Sequence, residues 1–435
     1  MSPRAAKAAV TVPGLPELPF HASHAIRAGG FLFVSGLIAS DYDDGLAADA
    51  RVDPERPFHS WPVTLQTEWI YRRLGLILAA GGSSLDDVVR LDQFFSARHH
   101  APGYFPARDR FLTRDRPAST AIEMSGLLVP DAVVLVDAFA IVPGAGFTKR
   151  PVDTDKVPRP LAGYSMAIRA GDWIWTAGAS PTDFKGDAPY LGADGTGLAP
   201  EARVNPIFWQ DYPIQKQVPY VMKKLAAYLE AAGSDLAHVV KAQVYLADMQ
   251  DFWAFNELWA SYFPERLPAT LVAPITRMAM TGSRVEISLI ALAAGSRVER
   301  RTIAVPDGAG TLGHFPEAVR VGDLLFLSGQ VAATSLGFHP AARVNPRQPY
   351  LVASAKREMQ VIVDNVRRVC EAAGGSIDSV VKAQCFFSDL GDVAPAMEAW
   401  GAAFGDDPPA LTIVATKPPH LLPECRMTVD VYAAL

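Results

Sequence analysis

The sequence predicts an α+β protein made of three similar units, each a mixed β-sheet with two helices on one face. Three observations carry that expectation. A strand-like run, VVKAQVYLAD at 239–248, returns nearly unchanged as VVKAQCFFSD at 380–389 and has a looser counterpart in VVRLDQFFSA at 88–97. A second run, AIRAGDWIWTAG at 167–178, is matched by AIRAGGFLFVSG at 25–36 and AVRVGDLLFLSG at 318–329. At 435 residues the chain is too long for one ordinary core, and a prior of about 150 residues per domain gives three. Two further anchors, ARVDP at 50–54 with ARVNP at 202–206 and 342–346, and RPAST (116–120) with LPATL (267–271) and PPALT (408–412), keep the same order. The expected division is 1–150, 151–300 and 301–435, with linkers over 143–160 and 295–310.

Within a unit the order reads strand, strand, helix, strand, helix, strand, strand. Residues 164–178 hold two apolar runs around Ala170-Gly171-Asp172, which suits a hairpin. A polar excursion over 180–212 follows. Val218, Val221, Met222, Leu225 and Leu229 then recur at helical spacing and Gly233 stops the run; Met359, Ile362, Val363, Val366 and Cys370 form the same stripe before Gly374-Gly375. The repeated strand comes next, then a shorter aromatic-rich helix at about 250–262, then strands at 268–277 and 283–293. Along VVKAQVYLAD, Val240, Ala242, Val244 and Leu246 share one face, while Lys241, Gln243 and Tyr245 share the other. One face wants helices. The mixed face is either wet or turned inward, and triplication favours three sheets curling round a common axis as a pseudo-threefold barrel.

Composition narrows the function. A formal net charge of −6 gives no basic footprint, so no nucleic-acid partner is expected. The longest apolar stretch, 127–142, is interrupted by Pro130, Asp131 and Asp137, so neither a membrane anchor nor a signal segment is expected. Three cysteines without metal-ligand spacing suit a reduced, cytoplasmic setting. Adjacent His99 and His100 cannot both face one metal from a helix, and no cofactor or metal is expected.

LAGYSMAIRAGDWIWTAG at 161–178, the stretch from LEAAGSDLAHVVKAQVYLAD to SYF at 229–263, and LPAT at 267–270 resemble the RidA/YjgF family of reactive intermediate deaminases. The second unit matches over nearly its whole length, the third well, and the first least. The resemblance implies a chorismate mutase-like fold. It also implies a homotrimer-like arrangement fused into one chain, with ligand clefts between neighbouring units and chemistry on unstable enamines, imines or related carbonyl compounds.

Site residues follow from that resemblance position by position. The family arginine that holds a substrate carboxylate falls at Ser119, Thr270 and Leu411 here, which weakens the case for plain imino-acid hydrolysis; Arg277 is a candidate replacement. The family's last-strand glutamate matches Glu286, with Leu135 and Thr428 at the equivalent positions. Its hairpin tyrosine matches Tyr164, with Ala22 and Phe315 elsewhere, and its serine before glycine matches Ser35 and Ser328, with Ala177 in the second unit. The clefts are thus chemically unequal. Each position also has a plain alternative: Glu286 as a solvent-facing strand residue, Thr270 as packing, Tyr164 as a buried aromatic. No His and Asp pattern flanks the serines, so a nucleophilic triad is not supported. Arg51, Arg203 and Arg343 persist in all three units, which suits a structural tie more than anion binding.

The expected function is an enzyme acting on a small reactive intermediate in an interdomain cleft, by acid–base catalysis of cyclisation, tautomerisation or condensation. Glu286 would move the proton, and Tyr164, Ser35 and Ser328 would orient substrate. The alternatives are an enamine/imine deaminase and a non-catalytic metabolite-binding or regulatory protein. Further pairing of the fused trimer is left open.

Overall fold

The computed structural model describes residues 7–144, 146–184, 197–205, 207–305, 308 and 310–435. The first unit runs β1 (Ala8–Val10), β2 (Ala25–Ala28), β3 (Phe31–Val34), α1 (Pro62–Ala80), β4 (Val88–Phe95), α2 (Ala101–Asp109), β5 (Ala118–Glu123), β6 (Gly126–Leu127) and β7 (Val134–Ile141). The second runs β8 (Lys149–Val152), β9 (Ala167–Ala170), β10 (Trp173–Thr176), α3 (Pro213–Ala231), β11 (Val239–Leu246), α4 (Phe252–Tyr262), β12 (Ala269–Pro274) and β13 (Val285–Leu292). The third runs β14 (Arg300–Ile303), β15 (Ala318–Val321), β16 (Leu324–Leu327), the short pair β17 (Ala333–Thr334) and β18 (Gly337–Phe338), α5 (Ser354–Ala372), β19 (Val380–Phe387), α6 (Val393–Gly401), β20 (Ala410–Ala415) and β21 (Met427–Ala434).

The three sheets share one strand order: β1-β2-β3-β7-β4-β5, β8-β9-β10-β13-β11-β12 and β14-β15-β16-β21-β19-β20, the last extended by β6 from the first unit. In each, the repeated strand lies parallel to its outer neighbour and antiparallel to the last strand, which gives the mixed sheet. The edge strands β1, β8 and β14 are not foreseen by the sequence. KRPV and RRTI are short and charged and show no alternation, so they read as linker, yet they pair with β9 and β15. The expected divisions at 150/151 and 300/301 therefore pass through β8 and β14. Part of the expected excursion, 185–196 and 206, lies outside the described residues.

The long helices form for the reasons their stripes suggest. The predicted apolar residues of α3 and α5 are all buried against their own sheets. Each long helix stops alike: Gly82, Gly233 and Gly374 take positive φ (78°, 81° and 91°). The next N–H of each then donates back to a carbonyl five residues earlier, Ser83 to Leu78, Ser234 to Leu229 and Gly375 to Cys370, each at 2.8 Å. This is the left-handed C-terminal cap for which glycine carries no Cβ penalty.

The other sheet faces turn toward one another. Phe31, Phe33, Phe139, Trp173, Trp175, Phe326 and Tyr432, from all three sheets, share one apolar cluster, and Phe94, Tyr245 and Phe386 belong to another. Between them lies a buried polar belt in which three cations face three carboxylates. Arg90 donates to Asp92, Lys241 to Asp430, and Lys382 lies 2.9 Å from Asp137. Each cation also donates to a carbonyl of the next sheet: Arg90 to Thr176, Lys241 to Leu327 and Lys382 to Val34. Buried charges persist only when paired and hydrogen-bonded, and here they are. The mixed strand face is thus buried.

No closed hydrogen-bonded barrel forms among the described residues. At each seam an outer strand meets the end of the next sheet's hairpin through one repeated backbone bond: Gly178 N–H to Ser119 O, 3.0 Å; Gly329 to Thr270, 3.0 Å; Gly36 to Leu411, 3.1 Å. Side chains of the belt and the apolar clusters hold the sheets together, so short pairings such as β6 with β20 and isolated bonds replace the continuous ladder a barrel requires.

Candidate active site

The seam between the first and second units opens into a cavity of about 460 Å³. Its floor is Glu286 on β13, whose neighbours Ile287 and Leu289 face the helices while Glu286 faces inward. Ser119 and Ala121 of β5 supply the first unit's wall, Tyr164 and Ala162 precede the second hairpin, and Gly178 and Ser180 follow it. Phe184 and Met280 come from loops of the second unit, Arg98 from the turn that precedes α2, and Phe105 from the middle of α2. Gly178 is required at its place: a Cβ there would sit 2.2 Å from Glu286 Oε1 and 2.8 Å from Thr120 Oγ1.

Glu286 is 5% exposed. Burial pushes its carboxyl up to about 7, against the opposing pull of Lys224 and Arg90, with Asp92 adding to the rise. Lys224, on the buried side of α3, donates to Ser180 O and Thr182 O at 3.0 Å each, and its ammonium lies 5.1 Å from the Phe184 ring. Burial pulls that ammonium down to about 8, with Glu286 opposing. Tyr164 is held well above its ordinary value by burial, then by Tyr228 and Glu286. The phenol therefore stays protonated at neutral pH, while the acid beside it sits near its midpoint. That pair can exchange a proton and orient an oxygen or nitrogen at pH 7.

The other two seams lack the acid. Between the third and first units, Leu135 occupies the Glu286 register and Ala22 the Tyr164 position, and the space of about 30 Å³ is lined by apolar side chains including Phe20 and Leu411. Between the second and third, Thr428 holds the register of Glu286 and accepts or donates a 2.8 Å bond with buried His420. Burial pulls His420 down to about 4, so it is neutral there.

The structure brings Glu286, Tyr164 and Ser119 to one cavity and places the other predicted site residues elsewhere. Ser35 donates to Ser23 O at 2.6 Å and accepts from Leu411 N–H; Ser328 donates to Pro316 O at 2.6 Å and accepts from Thr270 N–H. Both serines stitch the seams that lack the acid. Thr270 turns its hydroxyl back to Pro268 O. Arg277 is exposed and meets the first unit through its backbone, accepting from Glu123 N–H at 3.2 Å. Arg203 donates to Leu198 O, Arg51 to Leu46 O, and Arg343 lies over Phe338, so each arginine holds the residue five places before it. Arg343 also forms a two-pronged pair with Glu424. Sequence reasoning missed Arg98, Lys224, Phe184 and Met280. A lysine within an apolar helical stripe was the one available signal.

These features define a class: an α+β protein whose sheets meet at seams, one of which holds a buried acid in a cavity. The sequence profile of the family described as Endoribonuclease L-PSP matches residues 154–293 and 307–435. The chain belongs to this family, the RidA/YjgF family. It is similar to a RutC family protein of Pyrococcus horikoshii, 35% identical over 130 residues that make up 30% of this chain and 87% of that protein. It is also similar to 2-iminobutanoate/2-iminopropanoate deaminase of Rattus norvegicus, 31% identical over 144 residues, 33% of this chain and 90% of that one. Among solved structures it is similar to RidA from the Antarctic bacterium Psychrobacter sp., at 26% identity and a TM-score of 0.25, over 31% of this chain and 99% of that one. Among the described residues no helix is long and apolar enough to cross a membrane.

Proposed function

We propose that the chain is three tandem copies of the family domain, divided near 1–150, 151–300 and 301–435, that act as a pseudo-trimer with one working cleft. That cleft, between the first and second copies, acts on a reactive enamine, imine or unsaturated carbonyl compound. Glu286 moves a proton on and off the reacting carbon or nitrogen, and Tyr164 donates a hydrogen bond to the adjacent polar atom. The observation that carries this reading is the seam asymmetry: the acid with its value near 7 lines the 460 Å³ cavity, while Leu135 and Thr428 hold its place at the other two seams. Ser119 stands where the family's carboxylate-binding arginine stands and spends its hydroxyl on Gln93 Oε1, 2.9 Å away. This favours tautomerisation, cyclisation or condensation over plain imine hydrolysis. The deaminase names of relatives keep hydrolysis as the second reading. The chain's net charge of −6 does not favour RNA as a substrate.

The test offers enamines, imines and unsaturated ketones generated in situ to the full chain, and follows loss of the intermediate and release of ammonia separately. Consumption without ammonia supports the first reading, ammonia release in step with consumption supports hydrolysis, and stoichiometric binding without turnover overturns both. Glu286→Gln is expected to lower turnover by about 10²–10⁴-fold. The wild-type rate is expected to inflect near pH 7, where Glu286 changes ionisation. Unchanged turnover in the variant removes Glu286 from the chemistry.

A further inference from the structure

Resting on that reading of the cleft, we infer that its substrate is not a three- or four-carbon imino acid but an anionic compound with a ring-sized apolar body, its acidic end held by Arg98 at the mouth. Size comes first. The cavity of about 460 Å³ falls within the roughly 300–1,000 Å³ range of sites for drug-sized ligands. An imino acid of about seven non-hydrogen atoms would leave most of such a space wet. The walls tell the same story. Phe105, Leu161, Phe184 and Met280 offer two aromatic rings, an aliphatic chain and a thioether, surfaces suited to a flat or cyclic body.

Charge sets the orientation. Of the cations around the cavity, Lys224 is committed to Ser180 O and Thr182 O, Arg108 to Asp109 and Ala162 O, and Arg90 to Asp92. The Arg98 guanidinium donates to Thr281 Oγ1 at 3.0 Å; the Glu123 carboxylate accepts from the Arg98 backbone N–H at 2.8 Å, and no carboxylate among the described residues pairs with the guanidinium itself. An anionic end placed at Glu286 would meet a second acid, whereas at Arg98 it meets an unneutralised fork able to bind a carboxylate or enolate in two places. Ser119, turned toward Gln93, leaves the inner wall without an anion clamp. The anchor has moved outward, and the ligand must be long enough to reach from Arg98 to Glu286.

Calorimetric titration of the full chain with 2-naphthoate, 2-naphthamide and butanoate tests this without requiring turnover. Naphthoate is expected to bind at least about tenfold more tightly than either butanoate, which lacks the body, or naphthamide, which lacks the charge. Arg98→Gln, an exposed substitution checked for folding by circular dichroism, is expected to weaken naphthoate by about tenfold and leave naphthamide unchanged. Glu286→Gln is expected to keep naphthoate binding, so a failed acid–base assignment and a failed substrate class give different results. Butanoate binding as tightly as naphthoate, equal binding of naphthoate and naphthamide, an Arg98→Gln variant with unaltered preference, or no saturable binding of naphthoate would each overturn the inference.

Discussion

The seam between the first and second units and the seam between the second and third are built from the same strands and differ in where their charges sit. In the seam without the acid, Lys241 of the second unit is neutralised by Asp430 on the third unit's last strand, and the same plan joins Lys382 to Asp137 between the third and first. In the open seam the last-strand position is Ser288, and Arg90 is neutralised by Asp92 two residues along its own strand. The carboxylate has moved from the neighbour to the home unit. As a result β13 carries Glu286 without a second acid on its own inward face, and the acid that opposes it electrostatically lies across the seam. A homotrimer would have to make such a change at every seam together. One chain with three unlike seams can convert a single structural contact into a site and leave the other two to hold the molecule closed.

The largest effect that tests this comparison is on stability. Lys241 and Asp430 are both fully buried, and removing one partner of such a pair leaves a charge that costs about 3–5 kcal/mol. Asp430→Asn should therefore lower the denaturant midpoint strongly while leaving the chemistry of the first cleft per folded molecule unchanged. A mild effect would mean that the seams without the acid are not held by these pairs.

Next in size is a contrast between two glycines. Gly178→Ala places a methyl against Glu286 Oε1 and Thr120 Oγ1, and the carboxyl, as the free end, must move. A displacement of about 1 Å costs up to roughly 10²-fold in rate, so a loss of 10- to 100-fold with little change in stability is expected. The equivalent Gly36→Ala meets Thr412 Cγ2 at 2.9 Å and Leu135 Cδ2 at 3.0 Å. That change should cost about 1–3 kcal/mol of stability by overpacking and leave activity intact. Equal activity losses in the two variants would show that both seams work.

How much of this was legible follows from the same contrast. The repeats expose strand order and helix stops, because apolar spacing and the glycine that ends each helix are local and recur three times. The resemblance then points to Glu286, Tyr164 and Ser119, which meet in one cavity because the seam sets β5 of the first unit against the hairpin of the second. Arg98 and Phe184 lie in loops whose contacts depend on a second unit, and no periodicity marks them. Ser35 and Ser328 read as site residues from the resemblance, yet their hydroxyls are consumed by backbone partners that only the assembled seams supply. The edge strands were illegible because a short charged segment becomes a strand only when a neighbour offers its backbone.

The smallest expected effect sharpens the comparison within the helices. Gln66 accepts from Val133 N–H and donates to Asp131 O, and Gln217 does the same with Arg284 N–H and Gly282 O, each amide using both its faces. The third unit has Glu358 here, accepting from Arg426 N–H at 2.9 Å with no N–H to return. Burial pushes Glu358 up to about 7, against the pull of Arg426. With the folded value raised above the unfolded one, the native state holds an extra proton between about pH 4.5 and 7. The favourable contribution is present below that window and is lost as pH rises through 7. Glu358→Gln restores the amide of the other two units and removes the titration. The variant should gain about 1 kcal/mol at pH 8, after loss of the half-exposed Arg426 contact, and gain nothing at pH 4. Denaturant titrations at the two pH values read the difference directly, and an equal gain at both would place the effect in packing instead of ionisation.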